Sequence, residues 1–166
     1  MEGPPLHPAL APLAFLLGTW EGEGAGAYPT IEPFAYRERT TFGHGGKPFL
    51  VMAQRTWATD DGRPLHVETG YLRLPDPNRV ELVVAHPTGH VEVAEGSFEA
   101  TADGGTLHLR STTVAATATA KVVEQLERTL TVRDDHLHVL LGMAAVGQPL
   151  EVHLRAELVR IAETVA

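Results

Sequence analysis

The feature that most constrains this chain is its punctuation: short apolar runs broken at close intervals by turn-forming residues. Phe49-Leu50-Val51-Met52 leads towards Trp57, and Asp60-Asp61-Gly62 breaks the run. His66 to Leu74 is bounded by Pro64 and by Pro75-Asp76-Pro77-Asn78. Val80 to Ala85 meets Pro87-Thr88-Gly89, and Val91 to Phe98 ends near Asp103-Gly104-Gly105. Leu107 to Thr113, Val122 to Val132, Leu137 to Met143 and Leu150 to Ile161 complete the series. Runs of this length, with Gly, Pro, Asn and Asp between them, specify strands joined by tight connections. The alternation is clearest where Leu126, Leu130 and Val132 oppose Glu127, Thr129, Thr131 and Arg133, one face buried and the other polar.

Counting the runs predicts an all-β fold of about ten strands, mostly hairpin-connected. An antiparallel up-and-down barrel is the economical solution, because closure removes both sheet edges. The one convincing helical segment is Leu6 to Leu17. There Leu10, Leu13, Ala14 and Leu17 recur at helical spacing, and Pro8 and Pro12 limit the element to a turn or two. Thr112 to Ala120 is rich in Ala and Thr, which predicts a thin wall or a loop with room beside it for a bulky ligand.

Composition narrows the function classes. The chain has 166 residues, and no repeat or linker divides it, so residues 1–166 are expected to form a single domain. With 21 acidic against 13 basic residues the formal charge is -8, which argues against a nucleic-acid partner. No run approaches bilayer length, and Met1-Glu2-Gly3-Pro4-Pro5 lacks the basic start of a secretory signal. There is no cysteine, which excludes disulfides, thiolate metal sites, thiol catalysis and thioether-linked haem. A soluble cytoplasmic protein without a membrane partner is the expectation.

Nine histidines invite a metal or cofactor. His136 and His138 share a strand face at i, i+2 and could bind a transition metal as in a cupin-like metalloenzyme. The simpler reading is a solvated strand surface following Asp134-Asp135. His86 and His90 bracket Pro87-Thr88-Gly89 as a turn-flanking pair, and His44 in Gly43-His44-Gly45-Gly46 reads as turn chemistry. His66 begins a strand near a barrel mouth. His153 has the parity of Glu151, Arg155 and Glu157, while Leu150, Val152, Leu154 and Leu158 form the apolar face. Patterning alone therefore turns His153 to solvent unless the lumen is polar or the apolar outer face is covered. That apolar parity also admits a homodimer. The two serines sit in no nucleophile elbow, no phosphate loop is present, and the carboxylate pairs read as surface charge, so no catalytic side chain is expected.

Four segments in order carry a resemblance: Gly18-Thr19-Trp20-Glu21-Gly22-Glu23-Gly24, Tyr28-Pro29-Thr30-Ile31, His66-Val67-Glu68-Thr69-Gly70-Tyr71-Leu72-Arg73, and Gln148-Pro149-Leu150 with His153-Leu154. The glycine–tryptophan start alone is shared with lipocalins and fatty-acid-binding proteins. Together the segments resemble the nitrobindin family, from about Leu6 to about Arg160. The resemblance implies a ten-stranded barrel holding haem b non-covalently near its mouth. It implies His153 as the iron ligand, Thr30 as a haem contact, and His66 near the opposite haem face. Some relatives have methionine where this chain has Leu65, which bears on the packing against the haem. The implied activities are nitric oxide binding and isomerisation of peroxynitrite to nitrate, chemistry that needs no general base. A histidine ligand must be neutral, with its tautomer fixed by an acceptor, either Glu151 or a nearby carbonyl. The alternative function, and the one patterning alone favours, is a lipocalin-like carrier of a small apolar ligand such as a fatty acid.

Overall fold

The structure, a computed structural model, describes residues 3–162. Ten strands follow a single 3-10 helix: β1 (Gly18–Tyr28), β2 (Ile31–His44), β3 (Leu50–Ala58), β4 (Pro64–Asp76), β5 (Arg79–His86), β6 (His90–Thr101), β7 (Gly104–Ala116), β8 (Val123–Arg133), β9 (His136–Ala145) and β10 (Glu151–Ile161). Each pairs antiparallel with its neighbours in sequence, and β1 closes the barrel against β10. The expected ten-stranded up-and-down barrel is what forms. Thr112 to Ala120 divides between the end of β7 and the loop that follows it.

The N-terminal element is a 3-10 helix, Pro8–Leu16, rather than an α-helical turn. Its fully buried residues are Leu10, Leu13 and Leu16. That spacing of three matches a helix with three residues per turn, and Pro12 inside it lacks the N–H an α-helical ladder needs. The helix packs over the barrel end where β1 begins. There Trp20 is fully buried and its indole N–H donates to the Leu16 carbonyl at 2.8 Å. The Arg160 guanidinium lies 4.1 Å from the Trp20 ring and donates to the Phe15 carbonyl at 2.8 Å. This end is a closed apolar floor, and the hydrophobic core sits between it and the barrel waist.

Alternation along β1 turns Trp20, Gly22, Gly24, Gly26 and Tyr28 inwards, opposite the exposed Glu23, Ala25 and Ala27. The glycines make space. A Cβ built on Gly24 would lie 2.3 Å from the Tyr36 ring, and one on Gly26 2.3 Å from the Phe34 ring. Both distances are far inside van der Waals contact, so these two aromatic rings occupy the volume that side chains at 24 and 26 would take. The glycine-rich opening thus fixes where the barrel wall is thin and where its aromatic lining lies.

Candidate functional site

The other end of the barrel is open. A cavity of about 770 Å³ lies there, walled by Phe34, Leu126, Leu141, Met143 and Leu154, with His66, His86 and His153 on its lining. Apolar walls with a few convergent polar groups are the usual composition of a small-molecule or cofactor site.

His153 reaches this cavity through an irregularity in β10. The β9–β10 register shifts between Val152, opposite Gly142, and Leu154, opposite Leu141, so His153 is the extra residue of a β-bulge. An inserted residue breaks the period-two alternation at that point. Leu154, Ala156 and Leu158 continue the inward parity, while His153 turns into the cavity rim and Val152 stays exposed. Leu154 packs on the core, so Leu150, Val152 and Leu154 do not form one continuous outer face. The expectation that His153 faces solvent is corrected by the bulge, with no need for a covering element. A second irregularity lies opposite: the β1–β2 pairing shifts between Gly26 and Tyr28. The Ala27 carbonyl there is 3.0 Å from His153 Nδ1. A carbonyl oxygen only accepts, so Nδ1 carries the proton and the neutral ring keeps its lone pair on Nε2. The tautomer-fixing acceptor is this carbonyl, not Glu151. The imidazole packs near two aromatic rings, its centroid 5.2 Å from Tyr28 and 6.3 Å from Phe34. Tyr28 is itself pinned, its hydroxyl accepting from the Ala145 N–H at 2.9 Å and lying 3.2 Å from the Met143 carbonyl.

Thr30 occupies the exposed turn between β1 and β2, next to Ile31, which lines the cavity. His66 lies near the start of β4, half-buried on the cavity wall. The remaining histidines divide cleanly. His136 and His138 are exposed on β9, the solvated surface that the pattern predicts. His44 accepts from the Gly46 N–H in the turn after β2. His90 contacts Thr88 Oγ1 at 2.9 Å and the Lys121 carbonyl at 2.7 Å. His86, read from sequence as a turn-flanking residue, instead points into the barrel.

The largest departure from the sequence reading lies beneath the cavity. Glu68, Glu92 and Arg128 are buried, although carboxylates were expected on the surface. Arg128 donates from Nε and Nη2 to Glu92 at 3.1 and 2.7 Å, and from Nη1 and Nη2 to Glu68 at 2.9 and 3.1 Å. Both edges of the planar guanidinium are thus matched to carboxylates. Burial alone would push the Glu68 and Glu92 carboxyls up. The facing Arg128 charge and its hydrogen bonds, with His66 3.3 Å from Glu68 and His86 3.4 Å from Glu92, outweigh burial and hold both below the usual carboxylate range. The Arg128 guanidinium is held above its ordinary value by the same pair, against its own desolvation. Glu38, also buried, accepts from Thr40 Oγ1 at 2.7 Å, and burial pushes its carboxyl up. A signal for this cluster exists in the sequence. Arg128 has the parity of Leu126 and Leu130, Glu68 that of Gly70 and Leu72, and Glu92 that of Ala94, so each is a charge written into an inward position.

Comparison with known proteins agrees with this architecture. Residues 9–160 match the family model described as the THAP4-like, heme-binding beta-barrel domain. A peroxynitrite isomerase 2 of Mycobacterium avium (strain 104) is 54% identical over 157 residues, spanning 93% of this chain and 96% of that protein. A peroxynitrite isomerase of Nocardia farcinica (strain IFM 10152) is 53% identical over 156 residues, spanning 93% and 92% respectively. The crystal structure of Rv2717c from M. tuberculosis superposes with a TM-score of 0.93 at 48% identity, covering 95% of this chain and all of that one. With its closed ten-stranded barrel, open apolar mouth and this match along nearly its whole length, the chain belongs to the THAP4-like family of heme-binding β-barrels, the nitrobindin-like barrels.

Proposed function

We propose that this chain binds haem b non-covalently at the barrel mouth, with His153 as the iron ligand, and isomerises peroxynitrite to nitrate. Nitric oxide is its second small ligand, the chain acts as a single domain across residues 1–166, and it works in the cytoplasm. The observation that carries the reading is the bulged His153, half-buried at a cavity of about 770 Å³, with Nδ1 engaged by the Ala27 carbonyl and its Nε2 lone pair free to coordinate. The residues present suit the group. Phe34, Leu126, Leu141, Met143 and Leu154 offer an apolar slot for a macrocycle, and Tyr28 and Phe34 pack against the imidazole edge-on. Thr30 at the exposed turn and His66 on the cavity wall are the further haem contacts in this proposal.

When bound, haem would supply a Lewis-acidic iron able to bind a small ligand. The protein's share is positional. The Ala27 carbonyl holds the His153 proton at Nδ1 and raises the basicity of Nε2. The apolar walls would limit access of bulk water to the bound group, and isomerisation of peroxynitrite requires no side-chain acid or base. The curated relatives named peroxynitrite isomerases support this reading.

The carrier alternative meets an electrostatic obstacle. A fatty-acid carboxylate seated at the base of the cavity would find no free cation there among the described residues, since Arg128 is saturated by Glu68 and Glu92. The test is stopped-flow decay of peroxynitrite with nitrate and nitrite quantified. The hemin-loaded protein is expected to accelerate decay and raise the nitrate share over free buffer. An unchanged rate and product ratio, with tight binding of a fluorescent fatty acid, would establish the carrier instead.

A further inference from the structure

Three ligating atoms converge at the base of the cavity. His66 Nε2 lies 3.3 Å from Glu68 Oε1, His86 Nδ1 lies 3.4 Å from the same oxygen, and the two nitrogens are 3.4 Å apart. They form a nearly equilateral triangle. Four ligands arranged tetrahedrally at zinc-like bond lengths of about 2.0–2.1 Å are separated by about 3.3–3.4 Å, whereas cis ligands at right angles lie about 2.9 Å apart. The observed edges match the tetrahedral figure.

We propose that His66, Glu68 and His86 form a second metal site, separate from the His153 position, which takes a divalent first-row transition ion of the zinc type with its fourth position open to the cavity. Two imidazoles and one carboxylate suit such an ion and not calcium or magnesium, which take oxygen ligands. An open fourth position beside three protein ligands is the arrangement of catalytic rather than structural zinc centres.

Two independent observations support the site. First, His86 Nε2 is buried with no hydrogen-bond partner among the described residues, yet it lies 3.4 Å from Glu92 Oε2. Coordination through Nδ1 puts the proton on Nε2, on the side of the ring nearest that carboxylate, as in the carboxylate–histidine–metal arrangement that orients such ligands. Without a metal, a 3.4 Å separation between imidazole nitrogens is too long for a good hydrogen bond, so the triangle is left without a strong internal contact. Second, Glu68 and Glu92 bring two negative charges against the one positive charge of Arg128, all three buried. An uncompensated buried charge is costly, and a cation in the triangle offsets it. His66 is shared with the proposed haem contacts, but the site does not rest on the haem reading, because none of its ligands is His153.

The test uses the full-length chain, stripped with chelator and without added hemin, titrated with Co(II) and then back-titrated with Zn(II). One equivalent of Co(II) is expected to give the strong visible d–d bands of four-coordinate cobalt, removed stoichiometrically by Zn(II). His66→Ala and His86→Ala should each weaken binding at least about tenfold, as loss of a ligand must exceed loss of an outer partner. His153→Ala should leave binding unchanged. His66 is half-exposed, so His66→Ala keeps the test valid if the more buried His86→Ala fails to fold by circular dichroism. Absence of saturable bands in the wild-type chain would overturn the proposal and leave a proton, not a metal, to balance the charge. Bands that survive both substitutions, or vanish in His153→Ala, would place cobalt elsewhere and overturn it equally.

Discussion

Arg128 shows how much one buried side chain can govern. Its guanidinium donates hydrogen bonds to both Glu68 and Glu92. Replacing it with methionine keeps the volume but leaves two buried carboxylates unpaired. Arg128→Met is expected to lower unfolding free energy by about 3–5 kcal/mol, read as a drop in urea midpoint at constant m-value. The same pair sets the acid limit. The Glu68 and Glu92 carboxyls lie lower in the folded chain than when unfolded, so the stability they contribute is complete above about pH 4.3, the ordinary glutamate value, and is lost as pH falls towards their folded values. Glu38 works in the opposite sense, since burial raises it and its ionisation costs stability as pH rises. Denaturation followed against pH should therefore show a shallower acid limb for Glu92→Gln than for wild type, and a stability gain for Glu38→Gln that grows with pH. Parallel acid limbs for wild type and Glu92→Gln would remove the buried pair as the source.

At the scale of elements, β1 and β10 build the mouth together. Inward glycines on β1 leave space for Phe34 and Tyr36, and the bulge on β10 delivers His153 beside them. Gly24→Val places a branched side chain where the Tyr36 ring lies. Overpacking of this kind costs about 1–3 kcal/mol. A lowered melting temperature together with weakened hemin binding is expected, because the displaced rings move towards the cavity. Unchanged hemin binding in a destabilised Gly24→Val would mean that the rings do not shape the site. Elements are also where legibility divides. Strand count, closure and the N-terminal plug follow from turn chemistry and period-two patterning, which many residues write redundantly. The bulge rests on one inserted residue, and it inverts the parity argument at His153, which only the resemblance had singled out. Its partner, the Ala27 carbonyl, is a backbone atom that side-chain patterns do not report. Glu68, Glu92 and Arg128 were legible in principle, as charges on inward parities, but a surface reading of carboxylates concealed them. His86 was hidden by its position beside a turn.

For the whole molecule, polarity is graded along the barrel axis. One end is sealed by the 3-10 helix, Trp20 and Arg160; the waist holds charged groups in register; the far end opens into an apolar cavity. A floor that excludes water and a pinned histidine at the rim suit a cofactor held at the mouth, not a ligand swallowed into the lumen. Among the described residues no helix is long and apolar enough to cross a membrane. The central claim, that His153 holds haem at this mouth, is tested most directly by titrating hemin into the wild-type chain and into His153→Ala, following the Soret band before and after nitric oxide. Wild type should saturate at one equivalent with a Soret band that shifts on nitric oxide, and His153→Ala should bind at least about tenfold more weakly. Equal affinity and the same nitric oxide shift in both proteins would contradict the assignment of His153.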